Sequence, residues 1–248
     1  MKLLIDCSNL YAGGGLQVAT SFLNDLRELG LNHNYHIIQS KNFARGFTKD
    51  NFPNNFEFYE LGEKEEKYIL KRRKTMLNLE RKICPNVIFT VFGPSYHRSK
   101  YPKIVGMAIP YLIYPDSPFF ESLGFKEKMK YRIFSVLKSL FFKNNSDALI
   151  FESEIARKIF IEKYKYNKPT YTVNNTLNSI FLEKDKWQSI DLCQDRFNIL
   201  CLSANYPHKN LNIIPKVIEL IKAKNPSFRF TFNISASIED FSWSERTC

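Results

Sequence analysis

Short apolar runs alternate with longer runs of helical period along this chain, and that alternation most restricts its fold. Leu3-Leu4-Ile5, Tyr35–Gln39, Phe56–Leu61, Val87–Phe92, Ile104–Ile109 and Ala148–Phe151 read as buried strands. From Leu16 the positions Val18, Phe22, Leu23, Leu26 and Leu29 share one helical face, with Gly30 as a cap. Glu63–Lys82 reads as a charged helix with an apolar stripe at Ile69, Met76, Leu79 and Ile83, ended by Pro85. A further helix runs from Ser153 to about Lys165. Such alternation of strand and helix predicts an α/β fold, a parallel sheet with helices on both faces.

A boundary is expected between Thr172 and Arg196. Val173–Asn178 reads as an extended linker and Glu183–Asp195 as a polar stretch. A second β-α-β unit follows: strand Phe197–Leu202, helix Leu211–Ala223 and strand Phe228–Ile234. The expected division is therefore 1–172, a linker 173–196 and a second domain 197–248. Such domains usually need about 100–150 residues, so the second is expected to be incomplete. Phe228, Phe230, Phe232 and Ile234 alternate along its last strand and predict an uncovered apolar face.

The chain of 248 residues carries 36 Lys+Arg against 25 Asp+Glu, a formal net charge of +11. That balance favours anionic partners, and it equally describes a solvated Lys-rich surface. No nucleic-acid recognition motif accompanies the charge, so nucleic acid is not expected as a partner. Five cysteines, with no C-x-x-C pair, predict neither a disulfide framework nor a zinc site and suit the reducing cytoplasm. The start has too short an apolar run for a signal peptide, and no stretch approaches the ~20 apolar residues of a membrane span.

Three segments could carry chemistry. Gly13-Gly14-Gly15 lies between a strand and a helix, where it lets the backbone approach an anionic group closely. It is not a G-x-G-x-x-G fingerprint or a Walker loop, and a tight β–α turn explains it equally. His208-Lys209-Asn210 follows the strand 197–202. Lys209 could meet a diphosphate and Asn210 could cap the next helix; the alternative is an exposed positive loop. In Phe125–Lys143, Met129, Ile133, Leu137, Leu140 and Phe141 form a stripe. Lys126, Lys128, Lys130, Arg132, Lys138 and Lys143 face the single Glu127, a net +5. Such a helix could rest on anionic lipid or pack its stripe on the sheet. Lys71-Arg72-Arg73-Lys74 forms a second basic patch. His97 and Arg98 follow a strand end, where they could edge a cleft, and no catalytic triad order is present.

The segments A-G-G-G-L-Q-V-A at Ala12–Ala19, D-A-L-I-F-E-S-E at Asp147–Glu154 and S-A-N-Y-P-H-K-N-L at Ser203–Leu211, in this order and spacing, resemble the group 1 (family 4) glycosyltransferases. That family has two facing Rossmann-like domains, the GT-B type, and the resemblance covers nearly the whole chain. It implies transfer of a sugar from a nucleotide-sugar donor to a glycan or lipid-linked acceptor hydroxyl in cell-surface polysaccharide synthesis. The anomeric configuration would be retained, with no metal and no cofactor. Gly13, Gly14, Gly15 and Lys209 would meet the donor phosphates. His208, Asn210, Glu152 and Ser153 would line the cleft, Ser153 being equally a helix N-cap. Asp116 is the acid nearest the position where many members carry a catalytic His or Asp; it could also cap the Asp-Ser-Pro turn. The family's E-x₇-E element, whose Glu holds the nucleotide ribose, has no match after Ile234, which predicts weak donor binding and impaired turnover. The alternative is a non-catalytic relative that binds an anionic membrane surface or a partner subunit through its basic face.

Overall fold

A computed structural model describes residues 1–11, 13–46, 49–121, 123–176, 184–189, 192–203, 205 and 209–235. The chain divides into two compact units, Met1–Glu183 and Lys184–Cys248, and the dividing point falls inside segment 173–196.

In the first unit the order is β1 (Lys2–Cys7), α1 (Gly14–Leu29), β2 (Asn34–Gln39), α2 (Lys41–Arg45), β3 (Phe56–Glu60), α3 (Glu63–Lys67), α4 (Ile69–Ile83), β4 (Val87–Thr90) and β5 (Lys103–Met107). There follow α5 (Pro110–Ile113), α6 (Pro118–Glu121), α7 (Phe125–Asn145), β6 (Ala148–Phe151), α8 (Glu154–Tyr164) and β7 (Thr170–Thr172). The seven strands form one parallel sheet in the order β3-β2-β1-β4-β5-β6-β7.

Side chains alternate across the sheet and build a core on each face. Ile5, Cys7, Tyr35 and Ile37 pack with Ala19 and Leu23 of α1. Leu4, Ile38 and Ile88 pack with Met76 and Ile83 of α4. A third cluster joins Val105, Met107, Leu149 and Phe151 to Phe142 of α7 and Phe160 of α8. Gly106 in β5 lets the chain just after β4 come close. A Cβ there would lie 1.9 Å from the Val91 carbonyl oxygen, so no side chain fits.

Several expected elements differ. The single helix over Glu63–Lys82 is two, because Tyr68 is extended at φ −114°, ψ 113° and breaks it. Leu29 and Ile69, expected on apolar faces, are exposed, since each sits at the end of its helix beyond the sheet's cover. Gly30 does close α1 at φ 58°, its N–H donating to the Arg27 carbonyl at 3.2 Å. Strand β7, at the point where a linker is expected to begin, pairs with β6 and forms the edge of the sheet.

The second unit contains β8 (Phe197–Cys201), α9 (Ile214–Lys224) and β9 (Phe230–Ile234), the two strands being parallel. Phe232 and Ile234 pack with Cys201 and Ile218 around buried Leu211 and Ile214. The face that includes Phe232 and Ile234 is therefore partly covered, contrary to expectation. Phe228 lies outside the strand, while Leu200 and Leu202 are exposed.

Candidate functional site

The chain leaves β1 for β2 and β3 on one side and returns to β4 on the other. The C-terminal ends of β1 and β4 thus lie side by side at a reversal of strand order. Open parallel sheets present a ligand crevice at such a reversal. Buried Asp6 ties the two ends together: its Oδ1 accepts from the Ser8 N–H at 3.0 Å and its Oδ2 from Thr90 Oγ1 at 3.2 Å. Asn9 Nδ2 donates to the Pro94 carbonyl at 3.0 Å, which links the two loops.

Arg72 completes this wall. Its Nη1 donates to Asn9 Oδ1 at 2.8 Å, its Nη2 to the Tyr11 hydroxyl and to the Glu66 carbonyl at 2.6 Å, and its Nε to the Glu65 carbonyl at 3.2 Å. The Tyr11 and Tyr96 rings each lie 5.8 Å from the guanidinium carbon. Burial pushes the Tyr11 phenol above its ordinary value, against the pull of Arg72. Arg72 is therefore a buried strut and not part of an exposed basic patch. Its fork satisfies carbonyls that the short α3 leaves without helical partners.

The three glycines stand beside this crevice and divide the work. Gly13 adopts φ 69°, the region that favours glycine, and turns the chain into α1. A Cβ on Gly15 would lie 3.2 Å from Leu10 Cδ2 and 3.5 Å from Phe92, so Gly15 seats the helix closely on the loops. Gly14 faces open space, with nothing within 4 Å of a Cβ. Among the described residues no side chain caps α1, and no acid stands in its first turn. The amino end of a sixteen-residue helix, with its partial positive charge, is thus left open to an anion.

The other candidates of the first unit follow β5 and β6. Ser153 is the N-cap of α8, its Oγ accepting from the Ala156 N–H at 3.2 Å, so the capping alternative describes its contact. Glu152, just past β6, accepts from Asn175 Nδ2 at 3.0 Å. Asp116 is on the wall of a cavity of about 440 Å³ with Tyr111, Phe120, Tyr131, Arg132 and Lys163. None of the three glycines borders that cavity. Burial, followed by the neighbouring Tyr131, pushes the Tyr111 phenol up to about 12. Burial lowers the Lys163 ammonium, and the Asp116 charge opposes that shift.

In the second unit Lys209 is exposed on the loop after β8. Asn210, expected to cap the following helix through its side chain, makes no such bond. Its backbone is left-handed at φ 50°, not extended as in a side-chain cap, and its carbonyl accepts from Ile213 N–H at 3.1 Å to open a 3₁₀ turn. His208 lies outside the described residues.

A second buried polar group escaped the sequence reading. Glu80 Oε1 lies 2.6 Å from His97 Nε2 and 3.8 Å from Lys103 Nζ, and its Oε2 accepts from Ser99 Oγ at 2.6 Å. Lys103 Nζ also donates to Ser95 Oγ and to the His97 carbonyl, both at 3.0 Å. Burial raises the Glu80 carboxyl, but the bonds from His97 and Ser99 and the neighbouring charges outweigh it, and the net shift is downward. Lys103 begins β5, so this group sits at the amino end of the strands, away from the β1/β4 crevice. His97, expected at a cleft edge, is an interior tie. A lysine opening an apolar strand was the available signal.

No family model matches the chain, and no curated protein does. Solved structures do match. UDP-N-acetylglucosamine 2-epimerase from Rickettsia bellii has a TM-score of 0.53 at 13% identity, over 94% of this chain and 62% of its own. HepE from Anabaena, in complex with UDP-glucose, has a TM-score of 0.53 at 10% identity, over 97% of this chain and 71% of its own. A UDP-glucose:anthocyanidin 3-O-glucosyltransferase in complex with UDP has 0.52 at 12% identity, over 93% and 66%. The chain thus spans under two thirds of the epimerase's length. At these identities the likeness carries the fold. The chain is built on the GT-B plan, an α/β, Rossmann-like unit with a seven-stranded parallel sheet followed by a β-α-β unit of the same kind.

Proposed function

We propose that the protein is a glycosyltransferase that moves a hexosyl group from a nucleotide-sugar donor to a hydroxyl of a glycan or lipid-linked acceptor in cell-surface polysaccharide assembly. The observation that carries this reading is the open, uncapped amino end of α1 at the β1/β4 crevice, in a chain of GT-B fold. The similar solved structures include two with UDP or UDP-glucose bound, which supports a uridine diphosphate sugar as the donor.

In this reading the acceptor oxygen forms a bond to the anomeric carbon as the bond to the donor diphosphate breaks. The electron pair leaves on a diphosphate oxygen, which also takes the acceptor proton, and configuration is retained without a metal. In the first unit the α1 amino end is assigned to an anionic substrate group; in the second unit Lys209 is assigned to the donor phosphates, where a cation would stabilise the developing charge. Asp116, with the polar groups of its cavity, is assigned to the acceptor side.

Saturation-transfer NMR with UDP, UDP-glucose and UDP-N-acetylglucosamine tests the donor assignment. Lys209→Ala should weaken binding about tenfold or more, the scale of a charge-assisted hydrogen bond. Equal affinity in the variant would remove Lys209 from the site. Absence of binding for all three ligands, extended to guanosine diphosphate sugars, would sink the transferase reading.

A further inference from the structure

The stripe of α7, apart from Phe141, whose ring meets Tyr96 edge-on at 5.3 Å, faces the wrong way for a core helix. Its buried residues are Ser139, Phe142 and Asn145, and Tyr131 packs inward against Tyr111, Phe119 and Phe120. The apolar residues Phe125, Met129, Ile133, Val136, Leu137 and Leu140 are instead between 39% and 78% exposed. Five of them, at 129, 133, 136, 137 and 140, recur at helical spacing and form one outward ridge. Lys126 and Lys130 project within the same outward arc, and Arg132 and Lys143 lie on its flank. Glu127 is the only acid on the helix, and it is engaged at the helix start by the Gly124 N–H at 3.3 Å.

We propose that the outward ridge of α7 is a docking surface for an anionic lipid bilayer. The helix would lie in the plane of the interface, its apolar ridge entering the headgroup boundary and its cations meeting lipid phosphates. Charge selects this occupant. A second copy of the chain would bring two helices of net +5 together, whereas an anionic surface complements them along their length. Among the described residues no helix is long and apolar enough to cross a membrane, so α7 would lie on the bilayer and not span it. This surface does not depend on which sugar is moved, or on whether any is.

Cosedimentation of the full chain with extruded vesicles tests the proposal. Vesicles of phosphatidylcholine with about a third phosphatidylglycerol should retain the protein, and pure phosphatidylcholine should not. Ile133→Ser with Leu137→Ser should weaken retention about tenfold or more, as should Lys126→Glu with Lys130→Glu. All four side chains are outward, so circular dichroism should report unchanged folding. The single substitution Ile133→Trp gives a second readout: the fluorescence it adds to the native signal should be quenched by brominated lipid in anionic vesicles. No retention on anionic vesicles, retention unaffected by both double variants, or added fluorescence in the Ile133→Trp variant that brominated lipid leaves unquenched would each overturn the proposal. So would concentration-dependent dimerisation that Ile133→Ser with Leu137→Ser abolishes, which would assign the ridge to a second copy.

Discussion

Lys103 is the residue least expected from its setting, a cation 1% exposed at the start of an interior strand. It is tolerated because Glu80, Ser95 and the His97 carbonyl surround it. Glu80→Ala would leave Lys103 and His97 buried without their anion, and a stability loss of about 3–5 kcal/mol is expected in urea unfolding. The pH dependence follows from the sign of the Glu80 shift. Its folded carboxyl lies below the ordinary value, so its contribution is complete above about pH 4.3. It is lost as pH falls through the lower, folded value. Urea unfolding of Glu80→Gln from neutral to acid pH should therefore show a shallower acid decline than the native chain; an unchanged slope would count against the tie. None of these contacts was legible in the sequence. They join residues up to 23 positions apart through a fold that only the sheet assembles.

At the scale of elements, composition signalled the helices but not their breaks or faces. Glu63–Lys82 has helical composition throughout, yet the chain breaks at Tyr68 so that Arg72 can reach the carbonyls of Glu65 and Glu66 and the side chain of Asn9. Arg72→Lys keeps the charge but cannot fork across these acceptors. It should cost about 1.5–3 kcal/mol and speed amide exchange in α3 and the first turn of α4. Exchange equal to the native chain would show that the break stands without the guanidinium. In α7 the apolar stripe was legible, but its direction was not. Which arc of a helix meets the sheet depends on where the connecting loops set it down.

For the whole molecule, the two units differ in what holds them. The first buries side chains on both faces of seven strands, whereas the described residues of the second form two strands around buried Leu211 and Ile214. Hydrogen exchange read by mass spectrometry should find β8 and β9 at least about tenfold less protected than β1 and β2. Equal protection would mean that the second unit is secured by contacts beyond this pair of strands. The α/β class, the Gly13–Gly15 turn and the strand–loop–helix around Lys209 were all legible, because strand and helix periods and glycine's backbone freedom are local properties. The sequence by itself thus determined the order and type of the elements. Only the tertiary structure decided that β1 and β4 meet at the crevice, that Arg72 and His97 are interior ties, that Asp116 borders a cavity apart from the glycines, and that the ridge of α7 faces outward. Each of those depends on which distant segments pack together, and burial is a property of that packing, not of any one stretch of chain.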